Sequence, residues 1–64
     1  MFYISHYFHS YYGSATLYFN EKGKYEFVSY SSNGERVSRI FNTKEYAHIV
    51  LSEDNWVLDV DCAA

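Results

Sequence analysis

The sequence predicts an α+β domain: a small antiparallel β-sheet, built as a β-hairpin meander, with one helix packed on one face and the element order β-β-β-β-α-β. Three observations lead to this prediction. Turn sequences with glycine separate runs of β-branched and aromatic residues, a stripe of apolar residues at helical spacing follows them, and an alternating run comes last. From its length of 64 residues, the chain is expected to form a single compact domain, residues 1–64.

The first strand is expected between residues 2 and 12, where aromatic residues fall on both faces. Gly13 is a position where this strand could end. Strict alternation of side chains would divide the segment into two faces. One face would carry Phe2, Ile4, His6 and Phe8, and the other Tyr3, Ser5, Tyr7 and His9.

Two turns organise the middle of the chain. The sequence of residues 20–23, Asn-Glu-Lys-Gly, lies between two strand-like runs and is typical of a short hairpin. Asn33-Gly34 is a stronger signal, because these residues supply the two positive φ angles of a type I′ turn. The second turn joins residues 25–32 to residues 35–41, so we expect a three-stranded meander.

The register of the second hairpin stays open between two alternatives. A two-residue loop would place Phe27 opposite Ile40, and one extra loop residue would place it opposite Phe41. Together with the helix and the last strand, this hairpin is expected to supply the core, which we assign to Phe27, Ile40, Ile49, Val50, Trp56 and Leu58.

A helix is expected at roughly residues 43–52. Asn42 with Glu45 three positions later resembles a capping box, and Thr43 is a competing cap. The apolar stripe consists of Tyr46, Ala47, Ile49, Val50 and Leu51.

The last strand follows a polar loop at residues 52–55. Its residues alternate, which predicts one buried and one exposed face. The buried face would carry Trp56, Leu58 and Val60, and the exposed face Val57, Asp59 and Asp61.

Charge is segregated along the chain. The first twenty residues have no Asp, Glu, Lys or Arg, residues 21–44 hold all five basic residues, and the last twenty carry five carboxylates and no Lys or Arg. Glu53, Asp54, Asp59 and Asp61 are therefore expected to form an acidic edge, with Asp59 and Asp61 about 6.6–6.8 Å apart on one face. Such an edge fits a partner with a basic surface, although solubility explains it equally well.

Tyrosine dominates the aromatic residues, with eight tyrosines among fourteen rings. Because tyrosine hydroxyls need water or a hydrogen-bond partner, many of these side chains should lie at the surface. A sheet with a helix on one face leaves its other face uncovered, and an exposed aromatic patch marks an interaction site. The candidate partner-binding tyrosines are Tyr3, Tyr7, Tyr11, Tyr12, Tyr18 and Tyr30.

Catalysis and cofactor chemistry are not expected. His6 and His9 would point to opposite faces of a strand, so they do not make a metal pair. Cys62 follows two aspartates, which disfavours a reactive thiolate, and no nucleophile elbow or phosphate-binding loop is present. A single thiol and the lack of a signal-like or membrane-spanning run favour a cytoplasmic location.

Binding is therefore the expected function. A small acidic domain without disulfides or catalytic residues fits the general profile of phage-encoded inhibitors of bacterial defence, including anti-CRISPR proteins. Two alternatives remain open. One is a single-stranded nucleic-acid-binding domain that stacks bases on tyrosines, which the net charge of −3 disfavours. The other is a self-associating subunit, such as a homodimer, that buries its uncovered sheet face.

Overall fold

A computed structural model describes residues 1–61 of the chain, so Cys62 lies outside the described residues. It contains five strands and one helix. These elements are β1 (Phe2–His9), β2 (Gly13–Phe19), β3 (Tyr25–Tyr30), β4 (Arg36–Phe41), α1 (Lys44–Glu53) and β5 (Val57–Asp61).

All five strands form one antiparallel sheet in the order β4-β3-β2-β1-β5. This confirms the predicted α+β fold with the order β-β-β-β-α-β. Because β4 and β5 lie at opposite edges, α1 must cross the whole sheet to connect them. The helix consequently covers one face of the sheet, and we call the opposite side the open face.

An irregularity in β1 changes which residues face the helix. Tyr3 pairs with Tyr18 and His6 with Thr16, but Ile4 is an extra residue between these pairs. Tyr18 and Thr16 share a face, so Tyr3 lies on the open face with His6. The prediction of strict alternation along this strand was therefore wrong. The rings of Tyr3 and Tyr18 contact each other edge to face at 6.4 Å.

The turn between β3 and β4 is not type I′. Only Gly34 has a positive φ, +81°, whereas Asn33 does not. The Gly34 amide donates to the Ser31 carbonyl, and the Ser31 amide donates to the Glu35 carbonyl, both at 2.9 Å. This is a hairpin with a loop of residues 32–34 that ends in a left-handed glycine. The Ser31 hydroxyl also accepts from the Glu35 amide, which favours the longer loop.

The longer loop shifts the register, and both predicted alternatives were wrong. Phe27 lies opposite Arg39, while Ile40 lies opposite Glu26 on the open face. Ile40 is 55% exposed, so its assignment to the core was wrong, and Phe41 takes that place. A one-residue slip exchanges the two faces of a strand, which accounts for the error.

The core lies between the sheet and α1. It is formed by Tyr7, Ala15, Leu17, Phe27, Phe41, Ala47, Leu51 and Trp56. Only one narrow stripe of the helix, Ala47 and Leu51, is fully buried. Ile49 and Leu58 are exposed, contrary to prediction, because Ile49 is turned away from that stripe and Leu58 lies on an edge strand. Val50 is half-buried against the core.

The helix begins after Thr43, whose hydroxyl accepts from the Tyr46 amide at 3.1 Å. Thr43 is thus the N-cap, and the competing cap Asn42 is not. The Asn42 side chain instead accepts a hydrogen bond from the Lys24 ammonium at 2.9 Å. This contact links the start of the helix to the β2–β3 hairpin.

Candidate functional site

A cleft of about 610 Å³ opens on the helix-covered side of the sheet. It exists because α1 ends at Glu53 and leaves part of this sheet face, around Ser29 and Val37, without cover. Three loops surround it: the β1–β2 turn, the α1–β5 loop and the β3–β4 hairpin. We call it the aromatic cleft and define it by six lining residues, Tyr11, Tyr12, Tyr30, Arg39, Asp54 and Trp56.

The end of α1 positions Trp56 in the wall of this cleft. The Trp56 amide donates to the Leu51 carbonyl at 2.9 Å, and the Asn55 amide donates to the Ser52 carbonyl at 3.1 Å. Asn55 has φ +69°, so these bonds form a Schellman motif. The motif folds Trp56 back against the last turn of the helix, where only 7% of it remains exposed.

His9 joins two of the three loops. Its Nδ1 accepts hydrogen bonds from the amides of Tyr11 at 2.9 Å and Tyr12 at 3.2 Å. Its Nε2 lies 3.0 Å from the Asp54 carbonyl oxygen. These partners assign the neutral tautomer that carries its proton on Nε2, because Nδ1 faces only donors and Nε2 faces only an acceptor. The imidazole therefore links the β1–β2 turn to the end of the helix.

The rings form a continuous series from the core to solvent. Phe27 contacts Trp56 edge to face at 4.9 Å, and Tyr12 stacks on Trp56 with an interplanar angle of 17°. Tyr11 meets Tyr12 edge to face at 4.9 Å and is 83% exposed. Each ring packs on the next, so the exposed rings of Tyr11 and Tyr12 are anchored to the buried rings of Trp56 and Phe27.

Charged groups lie at the rim of the cleft. An Arg39 guanidinium nitrogen is 3.0 Å from an Asp54 carboxylate oxygen, and both side chains are about half exposed. The same guanidinium lies over the Phe41 ring at 5.4 Å. Glu53 is exposed beside Asp54, and the last turn of α1 contains no basic residue.

The predicted binding tyrosines separate into three groups. Tyr11, Tyr12 and Tyr30 line the aromatic cleft, whereas Tyr3 and Tyr18 lie together on the open face. Tyr7 belongs to the core, is 1% exposed and has its hydroxyl 3.1 Å from Nδ1 of His48. Tyr7 is therefore not part of the exposed aromatic surface that the sequence predicts.

The predicted acidic residues do not form one edge. Glu53 and Asp54 lie at the cleft, on the helix side. The Asp59 carboxylate is 3.1 Å from the His6 imidazole, on the open face. The β1–β5 ladder pairs residue 58 with Tyr7 and residue 60 with His6, so an irregularity at Asp59 interrupts the expected alternation. The backbone of Asp61 pairs with Ser5 in the same ladder.

Two residues of the cleft, His9 and Arg39, were not predicted from the sequence to belong to a binding site. The sequence presents His9 only as a candidate metal ligand, and Arg39 only as one of the five basic residues within residues 21–44. Their roles depend on the contacts with Asp54, which is distant from both in the chain. Asn55, four residues after the last residue of the helical stripe and directly before Trp56, was a local sign of the Schellman motif.

Two further features of residues 1–61 bear on function. In this part of the chain no three His, Cys, Asp or Glu side chains are grouped as they would be around a metal ion. The ten-residue helix α1 is too short to cross a membrane, and the described residues contain no other helix.

Comparisons of the chain with protein-family models, with curated proteins and with solved structures find no match. The chemistry of the aromatic cleft and the open face is therefore the basis for a functional proposal.

Proposed function

We propose that this chain is a non-enzymatic protein-binding module that acts as an inhibitor and docks through its aromatic cleft. The observation that carries the proposal is the composition of the cleft. Tyrosine, tryptophan and arginine, which are enriched among the residues that dominate binding energy in protein interfaces, meet there on one surface. Exposed rings of this kind supply large contact area with few rotatable bonds.

The rigidity of the cleft supports the same proposal. Tyr12 is stacked on Trp56, and its backbone amide is bound by His9. The Tyr11 backbone amide donates to the same imidazole, and its ring contacts the ring of Tyr12. Side chains that are already ordered lose less conformational entropy on binding, so more of the contact energy contributes to affinity.

The charge of the chain favours a basic partner. The net charge is −3, and within residues 1–61 both arginines form ion pairs with carboxylates, Arg36 with Glu26 and Arg39 with Asp54. A negative surface steers association toward positive patches, such as those with which nucleic-acid-handling proteins hold phosphates. We propose such a partner in the cytoplasm, of the kind that phage-encoded inhibitors of bacterial defence, including anti-CRISPR proteins, bind.

Binding of single-stranded nucleic acid is a second candidate. It is favoured by the exposed rings of Tyr11, Tyr12 and Tyr30, on which bases could stack. It is disfavoured by the cleft carboxylates and by the pairing of both arginines, because phosphates require free cationic groups.

We also propose that the chain forms a weak homodimer. The open face carries exposed apolar side chains, and another copy of the chain could cover them. These are Tyr3, Phe8, Ile40, Val57 and Val60.

The test uses a photo-reactive benzoylphenylalanine placed at position 11, in the aromatic cleft, or at position 46. Tyr46 is an exposed tyrosine on α1 and provides the matched control. After irradiation in native cells or in host cells, the proposal expects a defined protein adduct from position 11 and none from position 46. Equal adducts from both positions, or adducts only with nucleic acid, would contradict the protein-binding proposal.

A paired substitution gives the affinity measurement. Replacing Tyr11 and Tyr30 by serine should leave the fold intact, because both side chains are exposed. Binding of the captured partner should weaken at least about tenfold, since interface tyrosines often contribute more than 1 kcal/mol each. Replacing Tyr46 by serine should leave binding unchanged.

A further inference from the structure

We infer that the aromatic cleft receives a cationic side chain of the partner, with arginine preferred over lysine. This inference rests on the proposed protein-binding function and specifies the chemistry that the cleft recognises. Three features of the described residues lead to it: the charge around the cleft, the exposed ring faces, and the guanidinium of Arg39, which already lies at the rim.

The electrostatics of the cleft favour a cation. Helix α1 ends here, so its C-terminal carbonyls bring partial negative charge to the cleft. Glu53 and Asp54 add two carboxylates, whereas Arg39 is the one Lys or Arg side chain among the described residues that line it. With Arg39 paired to Asp54, the Glu53 carboxylate stays exposed and has no ion pair within residues 1–61.

The rings of the cleft provide the second contact that a guanidinium prefers. Tyr11 and Tyr30 are exposed there, and Tyr12 covers Trp56 while remaining exposed itself. A cation over an aromatic face is attracted by the ring quadrupole, and the planar guanidinium also stacks on it. Combining exposed rings with carboxylates distinguishes a cation site from a simple apolar groove, because a carboxylate would disfavour an uncharged apolar side chain.

Arg39 shows that this arrangement accommodates a guanidinium. Its nitrogen lies 3.0 Å from the Asp54 carboxylate while its central carbon lies 5.4 Å from the centre of the Phe41 ring. A carboxylate on one side and a ring on the other are the same two contacts that Glu53 and the tyrosines offer to an incoming arginine. The open volume of about 610 Å³ leaves room for a second side chain beside Arg39.

The test titrates the full chain, labelled with ¹⁵N, with four blocked pentapeptides that contain a central arginine, lysine, citrulline or glutamate between glycines. Citrulline preserves the shape of arginine without its charge. We expect the arginine peptide to shift the Trp56 indole and the Asn55 amide, and to bind at least about fivefold more tightly than the citrulline peptide. The lysine peptide should bind between them, and the glutamate peptide should not bind.

Substitutions on α1 locate the effect. Glu53→Gln with Asp54→Asn should reduce the affinity for the arginine peptide at least about fivefold, whereas Glu45→Gln, at the other end of the same helix, should leave it unchanged. All three positions are exposed, so the variants should fold, and their amide spectra will verify this. Equal binding of the arginine and citrulline peptides, or equal effects of the two sets of substitutions, would overturn the inference.

This test separates the inference from the function on which it rests. If position 11 forms a protein adduct in cells while the arginine peptide shows no preference over citrulline, the cleft binds a protein by other chemistry and the inference is wrong. If position 11 forms no protein adduct, the proposed function itself fails.

Discussion

The two faces of the sheet contrast most clearly at neighbouring residues. Trp56 and Val57 are adjacent in the chain, yet Trp56 is buried and Val57 is 63% exposed. The same division separates Phe41 from Ile40 and Tyr7 from its neighbour Phe8. In each pair both residues are apolar, so hydrophobicity alone does not decide which of them is buried.

In these three pairs the position of the helix decides it instead, although Val28 on the open face is buried as well. One helix of ten residues covers one face of a five-stranded sheet, and it leaves both the open face and the end of the covered face accessible. Burial on the covered side stabilises the fold, whereas the apolar groups that stay exposed on the other side do not contribute in this way. The following predictions test this division, beginning with the largest expected effect.

Trp56→Ala should cost about 3–5 kcal/mol, because it removes a buried ring that contacts Phe27 and Tyr12. For 64 residues, a total stability of about 3–10 kcal/mol is expected, so this variant should lose about a third of it or more. Val57→Ala should change stability by less than about 0.5 kcal/mol. Urea unfolding followed by circular dichroism measures both. Similar losses for the two variants would contradict the division into covered and open faces.

The histidines give a second matched pair. His9→Ala should cost about 1–3 kcal/mol, because the amides of Tyr11 and Tyr12 lose their acceptor in a part-buried site. His6→Ala removes only an exposed contact with Asp59 and should cost less than about 1 kcal/mol. Thermal unfolding at one pH compares them. If His6→Ala proved the more damaging, the assigned role of His9 in joining the loops would be wrong.

The two arginine ion pairs should contribute little on either face. Arg39→Gln and Arg36→Gln should each cost about 0.2–1 kcal/mol, because both guanidinium groups are about half exposed. The loss should become smaller as sodium chloride is raised toward 1 M, where exposed charges are screened. A salt-independent loss above about 2 kcal/mol at either position would indicate buried rather than surface pairing.

Ile40→Thr should have the smallest effect on stability, within about 0.5 kcal/mol, because Ile40 lies on the open face. Its effect should appear in self-association. Sedimentation equilibrium at tens of micromolar is expected to show a weak dimer for the unaltered chain and a weaker one for the variant. A strict monomer in both samples would remove the homodimer and leave the aromatic cleft as the supported contact surface.

The elements themselves were largely predictable because their signals are local. The strands, the helix and their order depend on periodicity over a few residues and on turns with glycine, and the structure confirms them. Thr43 was one of two predicted caps, and Phe27 and Trp56 were correctly assigned to the core. Each of these features depends on residues that lie near one another in the chain.

Local patterns did not predict which residues of each strand lie on which face of the sheet. The extra residue Ile4 in β1 and the loop of residues 32–34 each shift a strand by one position, and such a shift exchanges its faces. A single serine hydroxyl bond or one unpaired residue separates these alternatives, so their energies differ too little for local patterns to resolve.

The sequence by itself determined an α+β domain that is rich in tyrosine and carries a net negative charge. Only the tertiary structure decided that Tyr7 lies in the core, that the carboxylates divide between two faces, and that His9, Arg39 and Asp54 meet at one cleft. The physical reason is the path of α1, which crosses from one edge of the sheet to the other. That path brings together residues that are distant in the chain, so a pattern within one segment cannot predict their contacts.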